Sequence, residues 1–311
     1  MIAKESKKLS DLLIIGGTGF FGKSILDAFQ RGVLAPHGIA KIIVAARGVQ
    51  DFAINYPELM DSRIELVPLD ISNGVELPVA DIVIHAASST DARDYQADPN
   101  GQRLNIEQAT LNYCGLAKKY HRSAKIIYCS SGAVYGQQPE NIAAMAEDSP
   151  FQDVDGLVAH KRDYALGKRY AERQIQALGS DGLNVSIARC YAFYGQYLPR
   201  DQHFAYGNFI GAAERGEAIE VKATHAVVRS YMHADDLALA LIQIALEANS
   251  TCPIYNVGSG EAIEIRDLAK QIGRDYGVPV KSVAISDDAV CDRYVPDVTK
   301  LSRLILGQIR Q

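Results

Sequence analysis

No apolar run in these 311 residues approaches the roughly 20 consecutive positions that a helix needs to cross a bilayer, so no membrane partner is expected. There is no surplus of basic charge either. A formal net charge of −5 offers no broad cationic field, which argues against nucleic acid as a partner, although a few clustered arginines could still hold a small anion. Cysteine is sparse and scattered: Cys114, Cys129, Cys190, Cys252 and Cys291 form no CxxC pair and have no histidine at ligand spacing. Reduced thiols and no metal site are expected. The stretch MIAKESKKLSD carries charge where a signal peptide needs an apolar centre, so it reads as a short lead-in and the expected location is the cytoplasm. Internal repeats and low-complexity tracts are missing too.

What is present is ordinary globular composition, long enough for one large domain or two unequal lobes. Short apolar, β-branched runs recur at Leu12–Ile15, Ile42–Ala46, Ile64–Val67, Ile82–Ala86, Ile126–Cys129, Val185–Ala188 and Ile254–Val257. Helical patterns alternate with them at Lys23–Gln30, Leu104–Tyr120, Tyr164–Leu178 and Asp235–Glu247. In the first of these, Ile25, Ala28 and Phe29 take the i, i+3, i+4 spacing of one buried face. Apolar strands alternating with helices predict an α/β fold: a Rossmann-type, doubly wound parallel sheet of about seven strands, with ligands at the carboxyl ends of the strands. Residues 1–188, with 232–257 returning to them, are expected to form the dinucleotide-binding domain. The less regular 189–231 and 258–311 are expected to form a smaller mixed α/β lobe for the substrate. Residues 137–162 are polar and proline-interrupted, a surface loop and a candidate lid.

The first strand runs into Gly16-Gly17-Thr18-Gly19-Phe20-Phe21-Gly22 and a helix follows. Gly16 permits a tight turn, Gly19 lets backbone approach a pyrophosphate, and Gly22 lets the helix sit against the strand. The helix N-terminus adds free N–H groups. The second strand ends at Ala46-Arg47, where NAD-binding proteins usually present an acid to the ribose. Arg47 would suit a 2′-phosphate, so the cofactor expected is NADP(H), with NAD(H) as the alternative. Asp70 could accept a hydrogen bond from adenine, or cap a helix.

Tyr164 and Lys168 lie four apart and share a helix face. Ser130 and Ser131 follow the strand that ends at Cys129. A serine that polarises a carbonyl, a tyrosine that moves the proton and a lysine that lowers the tyrosine's pKa suit carbonyl reduction or its reverse.

These features together resemble the extended short-chain dehydrogenase/reductases that act on nucleotide sugars. The resemblance runs from about Leu12 to Leu306. It rests on GGTGFFG (Gly16–Gly22), HAA (His85–Ala87), SSGAVYG (Ser130–Gly136), YALGK (Tyr164–Lys168), RSYMHADDLA (Arg229–Ala238) and YNVGSGE (Tyr255–Glu261). It implies Ser131, Tyr164 and Lys168 as catalytic residues, and Arg229 and Arg293 as holders of the nucleotide diphosphate. The expected cofactor contacts are Gly16, Thr18, Gly19, Phe20, Phe21, Gly22, Arg47, Asp70, Ile71, Ala86, Ala87, Ser88, Tyr164 and Lys168. Ser131, Tyr191, Asn208, Arg229 and Arg293 are the expected substrate contacts. His233 and Asp235 are expected to shape the junction between lobes. By the same resemblance a homodimer is expected, paired through Leu104–Tyr120 and Tyr164–Leu178.

Departures from the family pattern narrow the reaction. Sugar-nucleotide 4,6-dehydratases carry Asp-Glu just after the catalytic hydroxyl; here Gly132 and Ala133 stand there. Relatives that combine 3,5-epimerisation with reduction use a cysteine where Ala133 stands. Ala192 replaces a substrate-contacting asparagine after the sixth strand, and the chain between Ser131 and Tyr164 is longer than usual. What remains is NADPH-dependent reduction of a nucleotide-activated 4-keto-6-deoxyhexose, with an NAD-dependent 4-epimerase as the alternative. A non-catalytic dinucleotide sensor is disfavoured by the intact Ser131, Tyr164 and Lys168.

Overall fold

The computed structural model describes residues 9–88, 92–286 and 290–309, so most of the N-terminal lead-in lies outside it. Fourteen strands occur in the described residues: β1 Ser10–Ile15, β2 Ile39–Ala46, β3 Ile64–Pro68, β4 Ile82–His85, β5 Lys125–Ser131, β6 Asn184–Cys190, β7 Phe193–Tyr194, β8 Ile219–Val221, β9 Val227–Ser230, β10 Met232–His233, β11 Ile254–Val257, β12 Ala262–Glu264, β13 Val280–Ser282 and β14 Asp292–Tyr294. The helices are α1 Phe20–Gln30, α2 Val49–Asn55, α3 Ala92–Ala97, α4 Pro99–Tyr120, α5 Ala159–Ser180, α6 Ala205–Glu214, α7 Ala234–Leu246, α8 Ile265–Tyr276 and α9 Thr299–Ile309.

Seven strands form one parallel sheet in the order β11-β6-β5-β4-β1-β2-β3. These are the seven expected from the apolar runs, and they make the Rossmann-type fold. Their residues alternate between two cores. Leu12 and Ile14 of β1 pack into a core shared with α1 and α7, while Leu13 and Ile15 pack into another shared with α4 and α5. A strand buried on both faces needs apolar residues at every position, which is why no polar alternation marks it in the sequence. The sheet order reverses direction beside β1, so the ends of β1 and β4 flank a crevice.

A smaller group of elements has its own core. Phe209 of α6, Ile219 and Val221 of β8, Val227 of β9, and Ile265, Leu268 and Ile272 of α8 pack together. Here β13 pairs with β8, while β12 and β14 flank β9.

Residues 137–162 are more firmly held than a surface lid would be. Gln138, Met145 and Val154 are buried. The Met145 N–H donates to Val295 O at 2.9 Å and the Asp297 N–H donates to Met145 O at 2.8 Å. Arg169 of α5 donates to Val134 O and to Gln152 O, both at 2.7 Å. The last residues of this stretch already belong to α5, which begins at Ala159, so Tyr164 sits in its second turn and does not open the helix.

Candidate active site

The glycine loop joins β1 to α1, and each glycine has a separate physical reason. Gly16 has φ +83°, and a Cβ there would lie 2.5 Å from Ala87 Cα. The loop after β4 therefore passes directly against it, bringing Ala86, Ala87 and Ser88 beside the first turn. A Cβ on Gly22 would lie 1.9 Å from Gly17 O, so only hydrogen lets α1 approach the loop. At Gly19 the nearest protein atom would be 3.7 Å away, and the residue is exposed. No side chain caps α1, so its first N–H groups and positive end remain available to an anion. Thr18, Phe20 and Phe21 are half-buried around this opening.

Arg47 follows β2 and is exposed. It lies near Asp70, whose carboxylate accepts from Ser72 N at 3.0 Å and Ser72 Oγ at 2.7 Å. Those bonds, with the Arg47 charge behind them, hold the Asp70 carboxyl below its usual range. Asp70 thus stabilises a turn after β3. Ile71 is buried in the core below, and its carbonyl accepts from Asn112 Nδ2 at 3.0 Å.

Ser131 ends β5, and its Oγ accepts from Ala133 N at 3.1 Å, capping a short 3-10 turn over Gly132–Tyr135. Burial pushes the Tyr164 phenol up, while the charge of Lys168 and the hydrogen bond from Ser131 pull it back. Lys168 is 3% exposed, and its ammonium donates to Cys129 O at 3.1 Å and to Tyr128 Oη at 3.3 Å. An ammonium has three protons, so one donor remains for a ligand. The ammonium lies 5.8 Å from the centre of the Tyr164 ring. All three expected catalytic groups therefore meet at the end of β5.

Several neighbours were not expected at the site, although His85 belongs to the HAA motif. Tyr95 packs edge-on against Tyr164, with ring centres 5.2 Å apart, and its hydroxyl lies 3.4 Å from Ser88 Oγ. His85 is fully buried; burial first, then the Lys168 charge, lowers its pKa to about 3. Tyr294 comes from β14, and its hydroxyl lies 3.3 Å from Ser131 Oγ and donates to Cys190 O at 3.3 Å. The Tyr294 ring stacks on Tyr191 with centres 4.4 Å apart. Tyr191 in turn covers Gly132: a Cβ there would lie 2.6 Å from Tyr191 Cζ. An aspartate at 132 would displace Tyr191, which gives the missing dehydratase carboxylate a structural counterpart.

The diphosphate candidates separate. Arg229 donates to Asp292 Oδ2 at 2.9 Å and to Asp292 O at 2.7 Å, and its guanidinium lies 5.9 Å from the Tyr294 ring centre. Arg293 lies between Asp292 and Tyr294 on β14, so strand alternation places it on the opposite face. Asn208 is exposed on α6 and donates to Gln202 O at 2.6 Å, with no link to Ser131 or Tyr164. The backbone N–H of Asp235 donates to His233 Nδ1 at 3.2 Å, and Asp235 pairs with Arg31, tying α7 to α1. No group of three or more metal-ligating side chains occurs among the described residues, nor is any described helix long and apolar enough to cross a membrane.

Comparison with known proteins supports the fold and places the chain in a family. UDP-glucuronic acid decarboxylase 3 of Arabidopsis thaliana is 27% identical over 298 residues, covering 94% of this chain and 83% of that protein. UDP-glucuronic acid decarboxylase 1 of Danio rerio is 25% identical over 309 residues, covering 97% and 69%. Among solved structures, a dTDP-glucose 4,6-dehydratase of Streptomyces venezuelae with NAD and TYD bound superposes with TM-score 0.75 at 22% identity, over 94% of this chain and 90% of that one. UDP-glucose 4-epimerase of Thermotoga maritima gives 0.74 at 20% identity, over 94% and 91%. Residues 12–258 match the family model described as the NAD dependent epimerase/dehydratase family, and a match of that extent means that the chain belongs to this family.

Proposed function

We propose that the protein reduces the C4 carbonyl of a nucleotide-activated 4-keto-6-deoxyhexose with NADPH. One observation supports this above others. Ser131, Tyr164 and Lys168 meet at one strand end, while Gly132 and Ala133 beside them have no group that transfers protons. That set suits hydride chemistry without loss of water.

The first loop fits a dinucleotide. Gly16, Thr18, Gly19, Phe20, Phe21 and Gly22 would hold the pyrophosphate against the uncapped α1, with Ala86, Ala87 and Ser88 across the crevice. Arg47 would meet a ribose 2′-phosphate, and no carboxylate ends β2 to repel it. Asp70 and Ile71 would border the adenine. Bound there, the dinucleotide supplies hydride. Ser131 then donates to the carbonyl oxygen and Tyr164 gives that oxygen its proton. Lys168 lowers the Tyr164 pKa, and its remaining donor would hold the nicotinamide ribose.

Residues 189–231 and 258–311 are our substrate lobe, and 1–188 with 232–257 our cofactor domain. Tyr191 would line the sugar site. Arg229 would exchange Asp292 for phosphate oxygens, Arg293 would approach from the other face of β14, and Asn208 would contact the nucleotide. Relatives named as decarboxylases suggest a uronate. Yet a carboxylate beside Ser131 would face the rings of Tyr191 and Tyr294. An uncharged C6 suits that lining better. A 4-epimerase is the second reading, since the family's description covers epimerases and the same three groups would serve it. A homodimer through α4 and α5 completes the proposal.

The test is turnover with nucleotide-activated 4-keto-6-deoxyhexoses, comparing NADPH with NADH and wild type with Arg47→Ala. Stoichiometric NADPH consumption, with the preference lost in the variant, supports the reductase. Isomer interconversion with no net cofactor consumption replaces it with the epimerase. Release of carbon dioxide from UDP-glucuronate overturns both.

A further inference from the structure

We propose that Tyr294 is a positioning residue for this chemistry: its hydroxyl sets the hydrogen-bond direction of Ser131 and strengthens Ser131 as a donor to the reacting oxygen. This rests on the functional reading above, but the geometry behind it does not.

Ser131 Oγ already accepts one bond, from Ala133 N at 3.1 Å. A hydroxyl has one proton and two lone pairs. Tyr294 Oη lies 3.3 Å from Ser131 Oγ and also 3.3 Å from Cys190 O, so its single proton can point to either. With no substrate oxygen at Ser131, the Tyr294 proton goes to Cys190 O, and the Ser131 proton can rest on Tyr294 Oη. When a carbonyl oxygen arrives, Ser131 donates to it, and the Tyr294 proton turns to Ser131 Oγ. A hydroxyl that accepts a hydrogen bond becomes a better donor, so the chain Tyr294–Ser131–substrate gains as negative charge gathers on the oxygen.

The surroundings suit a neutral donor. Burial pushes the Tyr294 phenol up to about 12, so it keeps its proton in the neutral range. The ring is held by its stack on Tyr191, and Tyr191 is held over Gly132. The glycine at 132 leaves room for the Tyr191 ring, against which this phenol packs. No proton is gained or lost by the pair, because each bond broken is replaced by another.

The experiment compares wild type, Tyr294→Phe, Ser131→Ala and the double variant, each loaded with dinucleotide. Phenylalanine keeps the ring and its stack, so a packing role alone would leave every readout unchanged. In turnover, Tyr294→Phe is expected to lower kcat about tenfold with KM within about twofold, and to have no further effect in the Ser131→Ala background. A second readout needs no sugar: titration of the Tyr164 phenol by tyrosinate absorbance, assigned as the transition lost in Tyr164→Phe. Without Tyr294, Ser131 is a weaker donor to the Tyr164 phenolate, so that pKa should rise by about half a unit or more. An unchanged or lowered pKa, or equal loss of kcat with and without Ser131, overturns the proposal. If no nucleotide sugar is turned over, the functional reading has failed and the titration still decides the role of Tyr294.

Discussion

Glu172 and Arg189 form an ion pair 2.7 Å long, with side-chain exposures of only 4% and 5%. Glu172 lies one turn beyond Lys168 on α5, and Arg189 lies on β6. The pair is satisfied all round: Ser130 Oγ donates to Glu172 at 2.6 Å, and Arg189 donates to Tyr135 Oη at 2.8 Å and to Glu147 O at 3.0 Å. Tyr135 Oη donates a hydrogen bond to Asn256 Oδ1 at 2.9 Å, and the Asn256 amide N–H donates to Met145 O at 2.7 Å. The buried charges thus bolt α5 to the strand end that carries Ser131.

Breaking that pair on one side strands the other charge. Glu172→Gln is expected to cost about 3–5 kcal/mol of unfolding free energy, whereas Glu172→Leu with Arg189→Met should cost less than either single change. Urea denaturation of wild type, Glu172→Gln, Glu172→Leu, Arg189→Met and the double variant checks this. Equal or greater loss in the double variant would mean that the pair stabilises beyond its desolvation.

Lys168 and Tyr164 can be separated by pH. The Lys168 charge lowers the Tyr164 pKa against the effect of burial, so in the reductive direction, where Tyr164 must hold its proton, Lys168→Met should move the alkaline fall of the kcat profile upward in pH. It should also weaken dinucleotide binding by about tenfold. Tyr164→Phe should reduce kcat by about a hundredfold or more with dinucleotide affinity nearly unchanged. A Lys168→Met profile with the wild-type midpoint would remove the electrostatic role.

His85 gives stability a pH dependence. Its pKa is about 3 in the fold against an ordinary 6.5, so between those values the unfolded chain binds a proton that the native chain refuses. Its contribution is complete above pH 6.5 and is lost as pH falls towards 3, at about 1.4 kcal/mol per pH unit. His85→Gln should flatten the acid limb of a stability-versus-pH curve by about one proton. His121 lies nearby, and burial lowers its pKa too, so part of the slope should persist. An unchanged slope in the variant would show that His85 is not the group refusing the proton.

The proposed dimer predicts a mass. Leu104 and Leu111 of α4 are 49% and 44% exposed, one above the other on a helix face that the same chain does not cover. Light scattering should give twice the chain mass, and Leu111→Glu should halve it. A monomeric wild type ends the dimer proposal.

The sequence carried the fold because its strands are buried on both sides. Runs such as Leu12–Ile15 are apolar throughout, and helical spacing separates them. Their ends were less legible: β2 starts three residues before Ile42, and α5 starts five before Tyr164. Such ends depend on hydrogen bonds such as Ser10 N to Gly38 O, which composition does not encode. Ser131, Tyr164 and Lys168 stood out because they belong to recurring motifs. Tyr294 did not. It lies 163 residues from Ser131, on a three-residue strand whose partner is the four-residue β9, and no local spacing announces such a meeting. Residues 137–162 lie largely at the surface, as their polar residues and prolines suggest, but the anchors that hold them down, Arg169, Arg189 and Val295, lie elsewhere in the chain and leave no local sign.

The strapping of Met145 between Val295 and Asp297 has a consequence for the order of folding. The glycine loop closes on Ala87 within the first third of the chain, so a dinucleotide cradle can form from early, comparatively local contacts. The catalytic corner cannot, because its last hydroxyl arrives with a segment that must first return across most of the polypeptide. During refolding, capacity for cofactor should therefore emerge before turnover, and the interval between them measures the docking of the C-terminal segment.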